Sequence, residues 1–468
     1  MNRQKLIQLG VPEECCADAI EGVRLVASQN TDGVDKASLS LVISEVLDEP
    51  DHYVNDKFWS KLAKSVIEER DFIKPDPAPY QVWGEDIEAG AISQMEQAVQ
   101  LPMAVRGAMM ADSHQGYGLN IGGVLALDNA VVPYAVGVDI SCMVKVSVLD
   151  LPVNLFEKQN DRLCKAVERS TLFGTGPSGC YEGKEKHNHD VLDDDRWQDT
   201  KLLKSLKDGA HNQLGTSGSG NHFCDMGILT IDSENELGLS AGQYVAVLTH
   251  SGSRGAGYKV CQKYSKIAES KLPKRWRDFV RFAWLDMDSE DGQEYWMSMN
   301  LMADFASANH ACIHKRLAKN LGAKVLTSVE NSHNLAWKET HENKEVIVHR
   351  KGATPAGKGV LGVIPGSMGT PAYVVRGLGS VDSMDSASHG AGRVMSRTKA
   401  KDTFAYGDEI RRLAAQGVRV LSAGADEVPG VYKKIDEVMA YQQDLVEAIS
   451  RFDPKVVKMC GDGSKAED

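Results

Sequence analysis

The chain lacks the features that mark secreted, membrane-spanning and disulfide-rich proteins. No apolar run in the sequence approaches the roughly 20 residues that a membrane helix requires. The N-terminal segment MNRQKLIQLGVPEECC contains no continuous apolar stretch of the kind found in secretory signals. The 9 cysteines are odd in number and form no C-x-x-C pair, which argues against a disulfide framework. These absences predict a protein of the reducing cytoplasm with no membrane partner.

Internal repeats and low-complexity tracts are also absent. With 468 residues, of which 42% are apolar, the chain can build one large domain or two ordinary ones. Its net charge of −12 lowers the expectation of nucleic-acid binding. Any contact with RNA or DNA would therefore need a local patch of basic residues on an acidic body.

Composition divides the chain into a helical leading segment and a glycine-rich remainder. Apolar residues recur with helical spacing in three runs that end near Ile67, and Pro75, Pro77 and Pro79 then break the pattern. Beyond them, short β-rich runs alternate with longer helical patterns. We predict a helical extension over residues 1–76, a catalytic domain of mixed α/β (α+β) class over 77–461, and a polar tail over 462–468.

Several runs in the second part are regular enough to assign. The predicted strands are Gly122–Leu127, Val144–Leu149, Tyr244–Leu248 and Val360–Ile364. The clearest predicted helices are Glu294–Leu321 and Tyr432–Ile449. Glycine-rich loops connect these elements, and they hold most of the candidate functional residues described next.

A histidine lies among small residues near the C-terminus, in the segment ASHGAGR over residues 387–393. Small neighbours allow a large group to approach His389 closely, and glycines let backbone N–H groups turn toward it. Arg393 and Arg397 follow and could offer forked donors to phosphate. The pattern predicts that His389 contacts a phosphorus atom.

Four further polar segments contain candidate metal ligands: GVDISC with Asp139 and Cys142, GSGNHF with His222, HSGSRG with His250, and SHN with His333. Asp139 and Cys142 would point to opposite faces of a strand, so a turn is needed to bring them together. Each residue alone is more often structural. Together they favour two metal ions with a shared thiolate, and two ions about 3.5–4 Å apart form the usual clamp for reactions at phosphorus.

Four other segments allow both a functional and a structural interpretation. The loop Gly215–Phe223 could cradle phosphate or be a flexible surface loop, and it lacks the Gly-Lys-Ser/Thr ending of a Walker loop. His349–Thr354 could bind phosphate or be an exposed loop. Asp112 and His114 could belong to the site or to a tight turn. Lys274–Arg281 could contact RNA, but an amphipathic helix is the favoured interpretation.

The order of these motifs resembles that of the RtcB-type RNA ligases. DSHQGYG, IGGVLAL, GVDISC, GSGNHF, HSGSRG, SHN, HRKGAT, PGSMGT and SHGAGR follow one another between Pro79 and Gly461. The resemblance implies an RtcB-like fold with a central cleft for metal and GTP. It also implies an RNA ligase, dependent on GTP and two Mn²⁺ ions, that repairs or splices broken tRNA, rRNA or other RNA. Such a ligase joins a 2′,3′-cyclic-phosphate or 3′-phosphate end to a 5′-hydroxyl end.

The resemblance also implies how His389 works. It would attack the α-phosphate of GTP, carry GMP and pass it to the RNA 3′-phosphate, after which the 5′-hydroxyl displaces GMP. A cyclic phosphate would be opened first. The implied nucleotide-binding residues are Asn221, Asp225, His333, Asn334, Ser367, His389, Gly390, Ala391, Gly392, Arg393 and Tyr432. Among them, Asn221 would contact the phosphates, and Asp225 and Tyr432 would face the guanine.

The resemblance assigns the two ions to the five predicted ligands. Cys142 would bridge them, with one ion also held by His222 and His250 and the other by Asp139 and His333. Mn²⁺ near the triphosphate would neutralise charge and orient the leaving pyrophosphate. A neutral imidazole is a good nucleophile near pH 7, which agrees with the role given to His389.

The chain departs from the family pattern at three places. The family usually has a serine in the stretch where this chain has Pro371 and Ala372, and Cys460 stands in place of a lysine, with Lys458 as the nearest cation. Met143 stands where a glycine is typical. These differences bear on guanine selectivity more than on metal binding or histidine chemistry.

Two alternatives to ligation are open from the sequence. One is a metal-dependent cyclic phosphodiesterase that acts on RNA ends, and the other is a module that binds RNA ends without joining them. His389 followed by two arginines favours ligation, because a hydrolase needs no nucleotidyl acceptor. The N-terminal helices offer a surface for a protein activator or partner.

Overall fold

A computed structural model describes residues 1–29, 35–73 and 75–461. The chain divides into two compact units, one formed by Met1–Asp76 with Pro273–Asp278 and the other by Pro77–Leu272 with Phe279–Asp468. The predicted polar tail over 462–468 lies outside the described residues, as does Lys74. Among the described residues, no helix combines the length and apolar character that crossing a membrane requires.

The smaller unit is helical, as the sequence predicts. Its α-helices are α1 (Arg3–Gln8), α2 (Cys16–Gln29), α3 (Lys36–Asp48) and α4 (Ser60–Arg70). Asn2 caps α1 and Asp35 caps α3. In each case the side-chain oxygen accepts the backbone N–H of the residue three positions later in the sequence. The apolar faces of the helices meet in a core that includes Ile43 and Leu62.

The run Lys274–Arg281 is helical, but it forms a 3₁₀ helix over Lys274–Phe282 rather than an α-helix. Within the smaller unit, Trp276 is buried and its ring meets that of Phe72 edge-on, at a centroid distance of 6.0 Å. Because its tryptophan is buried, this part of the run does not offer the aromatic stacking surface that an RNA contact would use.

The larger unit is mixed α/β, which confirms the predicted fold class. Its strands are β1 (Tyr80–Val82), β2 (Ala104–His114), β3 (Ile121–Leu127), β4 (Ala130–Val131), β5 (Met143–Leu149), β6 (Phe223–Ile231), β7 (Gly242–Ser251), β8 (Leu285–Asp286), β9 (Val325–Ser332), β10 (Asn334–His341), β11 (Lys344–Lys351), β12 (Ala353–Pro355), β13 (Leu361–Ile364), β14 (Ala372–Gly377), β15 (Ser386–Ser388), β16 (Arg419–Ser422) and β17 (Val446–Met459). A five-stranded sheet has the order β1-β2-β3-β11-β10. An eight-stranded sheet has the order β13-β14-β17-β6-β7-β5-β9, with β16 beside β17.

The eight-stranded sheet is nearly closed, because the side chain of Asn331 joins its two end strands. Asn331 lies on β9, and its Oδ1 accepts the backbone N–H of Val363 on β13 at 2.7 Å. Its Nδ2 donates to Thr354 Oγ1 at 3.1 Å. These hydrogen bonds occupy backbone and side-chain groups that an open sheet edge would leave to solvent.

Helices surround the two sheets of the larger unit. They are α5 (Ala89–Ala98), α6 (Pro133–Val136), α7 (Leu155–Lys158), α8 (Asn160–Ser170), α9 (Lys201–Gln213), α10 (Arg254–Lys271), α11 (Glu290–Leu321), α12 (Arg397–Thr403), α13 (Tyr406–Ala415) and α14 (Ile435–Ala440). The longest, α11, begins after Ser289, whose side chain caps it, and ends at Gly322 in the left-handed conformation that glycine adopts readily. Its buried face includes Tyr295, Phe305 and His310.

The four predicted strands are confirmed as β3, β5, β7 and β13, and the predicted helix Glu294–Leu321 is confirmed as α11. The predicted helix Tyr432–Ile449 is wrong beyond Ala440. There α14 ends, and the chain enters β17 at Val446. Because β17 pairs with both β14 and β6, pairing within the sheet overrides the helical spacing of its apolar residues.

Candidate active site

A cleft of about 1260 Å³ in the larger unit collects most of the residues singled out from the sequence. Fourteen of them line it: Asp139, Cys142, Asn221, Asp225, His250, His333, Asn334, Ser367, His389, Gly390, Ala391, Gly392, Arg393 and Tyr432. His222 is buried and contacts two of these residues, Asp139 and Cys142. The structure thus gathers every predicted metal-binding and nucleotide-binding residue in or beside one cavity.

A tight turn brings Asp139 and Cys142 together, as the sequence required. The N–H of Cys142 donates to the carbonyl of Asp139 at 3.1 Å, and Ser141 adopts a left-handed backbone with φ of 56°. The N–H of Ser141 donates to the carbonyl of Asn334 at 2.6 Å, which ties the turn to the beginning of β10. Both side chains therefore face the same cavity from adjacent positions.

Two groups of candidate ligands share the sulfur of Cys142. In the first, His222 Nε2 lies 3.1 Å from Asp139 Oδ2 and 3.4 Å from Cys142 Sγ. In the second, His250 Nε2 lies 3.0 Å from Cys142 Sγ and 3.2 Å from His333 Nε2. Within each group all ligand atoms lie within 4.8 Å of one another, which is close enough for one ion to reach them.

The resemblance implied a different assignment, in which His222 joins His250 and Asp139 joins His333, and that assignment stays a prediction. The rings of His222 and His250 are also neighbours, with centroids 5.1 Å apart. Cys142 immediately precedes β5, which lies between β7 and β9, so His250 on β7 and His333 just after β9 lie on either side of it. His222 precedes β6, and it contacts both Asp139 and Cys142.

The protonation states suit metal binding. Burial lowers the pKa of His250 and of His333 well below the ordinary value, so both rings are neutral at neutral pH. His250 Nδ1 donates to the carbonyl of Asn221 at 3.2 Å, which leaves the lone pair of Nε2 facing Cys142. One sulfur, three imidazole nitrogens and one carboxylate form a donor set that fits divalent transition metals such as Mn²⁺ or Zn²⁺.

The loop Gly215–Phe223 is buried and hydrogen-bonded, so the interpretation as a flexible surface loop is wrong. Asn309 on α11 accepts the N–H of Gly215 at 2.6 Å and donates to the carbonyl of Thr216 at 2.9 Å. Near the end of the loop, Asn221 Oδ1 is buried without a hydrogen-bond partner among the described residues. Since Asn221 lines the cleft, this oxygen is available to a bound ligand.

Asp112 holds His389 in a defined orientation. The Oδ2 atom of Asp112 accepts His389 Nδ1–H at 2.7 Å, and it also accepts the backbone N–H groups of His389 and Gly390 at 3.1 and 3.2 Å. Burial alone would raise the pKa of Asp112, but the nearby His389 and these hydrogen bonds outweigh burial and lower it. An ionised Asp112 therefore fixes the tautomer of His389, whose Nε2 keeps its lone pair.

Asp112 was absent from the predicted site residues, although the segment that contains it was noted. The signal in the sequence was the pair Asp112 and His114 beside two glycines. In the structure the pair is not a tight turn, because both residues lie on β2. The functional partner of Asp112 is 277 residues farther along the chain, so local spacing could not identify it.

Small residues around His389 are required by close packing within the protein, whereas their predicted role, to let a large group approach His389, stays a prediction. A Cβ at Gly352 would lie 3.1 Å from His389 Cε1, and a Cβ at Gly392 would collide with the carbonyl of Asp112. Gly392 also has a positive φ of 74°, which favours glycine. The rings of His389 and His333 are 4.9 Å apart between centroids, so His389 lies next to the second ligand group.

The two arginines after His389 are engaged by acidic residues. Arg393 Nη2 donates to the carbonyl of Asp426 at 2.9 Å, and its Nη1 lies 3.6 Å from Glu427 Oε1. Arg397 Nη1 donates to Asp426 Oδ2 at 3.1 Å and also to Glu427. The hydroxyl of Tyr432 donates to Glu427 as well. Both guanidinium groups therefore form part of the hydrogen-bonded wall of the cleft. They do not point into the cleft with two free donors for a phosphate, as the sequence suggested.

Another part of the cleft combines one carboxyl group with apolar walls. Asp225 on β6 is buried, and its Oδ1 has no hydrogen-bond partner among the described residues. Burial raises its pKa well above the ordinary value. Lys458 does not supply a counter-charge in the cleft, because its Nζ donates to Thr171 Oγ1 at 3.1 Å. Ser367 lines the cleft and its Oγ lies 2.9 Å from Thr370 Oγ1.

The basic segment His349–Thr354 is buried in strands β11 and β12, so the interpretation as an exposed loop is wrong. His349 accepts the backbone N–H of Val132 at 3.0 Å, and Arg350 forms two hydrogen bonds with Glu339. Of the three basic residues, Lys351 lines the cleft. Burial lowers the pKa of Lys351 to about 8.

Comparison with known proteins agrees with this site. The family model for tRNA-splicing ligase RtcB matches residues 94–459. The chain is 33% identical over 410 residues to RNA-splicing ligase RtcB1 of Escherichia coli strain ATCC 25922, which covers 81% of this chain and 97% of that protein. It is 32% identical over 435 residues to tRNA-splicing ligase RtcB of Nanoarchaeum equitans, covering 78% and 90% of the two chains.

The protein named tRNA-splicing ligase RtcB of Thermococcus kodakarensis is 32% identical over 467 residues, covering 82% of this chain and 95% of its own. The matched region contains Asp112, both ligand groups and His389. The smaller unit lies almost wholly outside it. On these grounds the chain belongs to the RtcB family.

Proposed function

We propose that this protein is a GTP- and Mn²⁺-dependent RNA ligase that joins 2′,3′-cyclic-phosphate or 3′-phosphate RNA ends to 5′-hydroxyl ends through a guanylated His389. One observation carries the proposal: an imidazole oriented by Asp112 lies beside two ligand groups that share a thiolate. The names of the bacterial and archaeal relatives as RNA-splicing or tRNA-splicing ligases support the same substrate class.

The first step uses the free nitrogen of His389. Its Nε2 lone pair forms a bond to the α-phosphorus of GTP, the bond from that phosphorus to the bridging oxygen breaks, and pyrophosphate leaves with the electron pair. Asp112 accepts a hydrogen bond from Nδ1–H, so the proton stays on Nδ1. The carboxylate also stabilises the positive charge that develops on the ring. A phosphoramidate intermediate divides one difficult transfer into two easier ones.

Two further transfers complete the joining of RNA. An oxygen of the RNA 3′-phosphate attacks the phosphorus held by His389, and the phosphorus–nitrogen bond breaks, so that GMP moves to the RNA end. The 5′-hydroxyl then attacks the 3′-phosphate and loses its proton, and GMP leaves. A 2′,3′-cyclic phosphate is first opened by water to give the 3′-phosphate that enters this sequence.

The ligand groups are the residues that would hold the two ions. Asp139, Cys142 and His222 form one group, and Cys142, His250 and His333 form the other. Bound Mn²⁺ would neutralise negative charge on phosphate oxygens and stabilise the leaving group. Ion binding would be supported by buried, neutral imidazoles whose lone pairs face the sulfur of Cys142, as His250 shows.

The remaining predicted residues would bind the nucleotide. We assign the phosphates to Asn221, which lines the cleft and whose side-chain amide can donate its Nδ2–H to a phosphate oxygen. The other predicted contacts, around the base and ribose, are Asp225, Asn334, Ser367, Ala391, Gly392, Arg393 and Tyr432. Because Ala372 carries no hydroxyl and Lys458 is directed to Thr171, Asp225 is the main polar contact for a base. We therefore expect weaker discrimination against ATP than a fuller set of contacts would give.

The test is to incubate the protein with Mn²⁺ and GTP labelled at the α-phosphate. We expect label on the protein that survives alkali and is lost in acid, as a phosphorus–nitrogen bond requires. His389→Ala is the control and should remain unlabelled. Equal labelling of wild type and His389→Ala would overturn the proposal. An unlabelled protein that still opens cyclic phosphates would instead favour the phosphodiesterase alternative.

A second experiment tests the role of Asp112. The amide of Asp112→Asn keeps the size of the side chain but cannot stabilise an imidazole that becomes charged. We expect labelling of His389 to slow by about 10²- to 10⁴-fold, by analogy with the loss of an orienting carboxylate in other catalytic histidine pairs. Metal content and the circular dichroism spectrum should match wild type, and full-rate labelling would contradict the assignment.

A further inference from the structure

Two exposed tyrosines line the same cleft as His389. Tyr117 is 47% exposed and Tyr258 is 45% exposed, so they mark the place where the cleft meets solvent. A half-exposed aromatic ring in a cleft offers a face on which a flat ligand group can stack. Neither residue has a role in the guanylation step or in the ligand groups.

Tyr117 is presented by a constrained loop. Arg281 lies over its ring, with the guanidinium carbon 4.4 Å from the centroid, and the ring of Tyr134 meets it nearly edge-on at 4.9 Å. The next residue, Gly118, has a φ of 77°, and a Cβ there would lie 2.9 Å from the carbonyl of Arg281. The close approach of this loop to Arg281 thus depends on a glycine.

Tyr117 is connected to the reactive centre through short contacts, and Tyr258 shares the lining of the cleft with His389. Lys351 Nζ donates to the carbonyls of Tyr117 and Tyr134, and the following residue, Gly352, packs beneath the ring of His389. Tyr258 lies on α10, which begins three residues after the end of β7 that carries the predicted ligand His250. A group that contacts either ring therefore occupies the same cleft as His389.

Carboxylates as well as cations line the cleft, so the surface around the tyrosines is not uniformly basic. Asp86 and Glu88 line the same cleft, and Glu88 accepts the backbone N–H of Gln115, two residues before Tyr117. These carboxylates repel a phosphate backbone, and the whole chain has a net charge of −12. Aromatic rings and an arginine plane attract the faces of unpaired bases without needing a basic surface.

We propose that Tyr117, Tyr258 and Arg281, here called the tyrosine platform, stack unpaired bases of the RNA end next to the break. The proposal rests on the proposed RNA-ligase function and adds the part of the substrate that this end of the cleft recognises. Stacking would hold the terminal phosphate or hydroxyl near His389 without reading the sequence, because every base has a stacking face. The platform thus selects single-stranded ends over ends buried in a duplex.

The test uses a short single-stranded RNA that ends in a 3′-phosphate and carries 2-aminopurine as its last base. Stacking on the platform should quench the 2-aminopurine fluorescence. The double variant Tyr117→Ala, Tyr258→Ala should bind this RNA about 10-fold or more weakly and lose the quenching. Tyr117→Phe with Tyr258→Phe should retain both, because phenylalanine keeps the stacking face.

Tyr441 supplies a matched control, since it is 42% exposed and does not line the cleft. Tyr441→Ala should leave RNA binding and quenching unchanged. Unchanged RNA binding and quenching in the double alanine variant would overturn the platform, as would an altered oligomeric state in place of altered RNA binding. Labelling of His389 by GTP without RNA separates the two proposals. An unlabelled wild type refutes the ligase function itself, whereas a labelled wild type with RNA binding unaffected by the alanines refutes only the platform.

Discussion

Two sets of buried histidines in the larger unit differ in what their nitrogens contact. His222, His250 and His333 lie at the cleft, and their Nε2 atoms face a thiolate, a carboxylate or one another. His310 and His314 lie on α11, and they contact hydroxyl groups and one carbonyl. Both sets are removed from solvent.

The histidines of α11 form a complete chain of hydrogen bonds. His310 Nε2–H donates to the carbonyl of Ser251, so its Nδ1 accepts the hydroxyl proton of Thr249 at 2.7 Å. The Thr249 oxygen in turn accepts His314 Nε2–H at 2.7 Å, and His314 Nδ1 accepts the hydroxyl proton of Ser147 at 2.8 Å. Every ring nitrogen has one partner, and no atom remains for an ion.

Neither burial nor the direction of the pKa shift separates His250 and His333 from the two histidines of α11. Burial lowers the pKa of His310 to about 4 and those of His314, His250 and His333 well below the ordinary value. The difference lies in complementarity. Hydroxyls can donate to one nitrogen and accept from another, whereas facing imidazole lone pairs beside a thiolate need a cation between them. A histidine is therefore best assigned from the atoms around its nitrogens.

The largest effect that this comparison predicts follows from removing the shared sulfur. Cys142→Ala deletes one ligand from both groups, so we expect loss of bound Mn²⁺ and no detectable labelling of His389. Metal content by mass spectrometry and labelling with GTP measure the two results. Cys312→Ala, which removes a buried thiol on α11, should retain both. Full activity in Cys142→Ala would show that the sulfur is not a ligand.

Replacing a histidine of α11 should affect stability and leave the metal in place. His314→Leu removes the acceptor of the Ser147 hydroxyl and one of the two histidine partners of the Thr249 hydroxyl, all of them buried. We expect a loss of about 2–4 kcal/mol in the free energy of unfolding, measured with urea. The folded variant should still bind Mn²⁺. If His314→Leu lost the metal with unchanged stability, the distinction between the two sets would be wrong.

Acid should destabilise the protein partly through the same histidines. The unfolded chain takes up a proton on His310 below its ordinary pKa of 6.5, whereas the folded protein does so only near pH 4. Stability is therefore present above pH 6.5 and is lost as the pH falls toward 4, by about 2 kcal/mol at pH 5 for this residue. His310→Gln should lose less stability than wild type between pH 7.5 and 5, compared in chelator by urea unfolding.

The smallest effect is expected at an exposed histidine. His52 lies on the surface of the smaller unit, where its Nδ1 is 2.8 Å from Glu49 Oε2. An exposed pair of this kind contributes little, because solvent screens it. His52→Ala should therefore match wild type in urea midpoint, metal content and labelling of His389. If His52→Ala changed the urea midpoint, the metal content or the labelling, an exposed histidine would contribute to stability or to the site. Exposure would then not distinguish His52 from the buried histidines of the cleft and of α11.

Much of the site was predictable because its parts are local motifs. Small residues beside His389, a glycine-rich loop before His222 and a histidine at the end of β7 are each visible in a few consecutive residues. The need for a turn between Asp139 and Cys142 also follows from strand geometry alone. The helical leading segment and the strands β3, β5, β7 and β13 follow from apolar spacing.

The parts that the sequence did not reveal depend on which strands become neighbours. His250 and His333 approach Cys142 because β5 lies between β7 and β9, and Asp112 contacts His389 although 277 residues separate them in the sequence. In the same way, pairing turned the apolar spacing after Val446 into a strand. The sequence suggested that Arg393 and Arg397 are free to bind phosphate. Their partners Asp426 and Glu427 lie some thirty residues farther along the chain, so local spacing did not reveal these contacts.

The bond between Asp112 and His389 joins residues 277 positions apart. During synthesis, both ligand groups and every strand of the five-stranded sheet are therefore made before His389. Under the proposed mechanism, a nascent chain that stops short of His389 cannot form the nucleotide adduct, however well its earlier strands have folded.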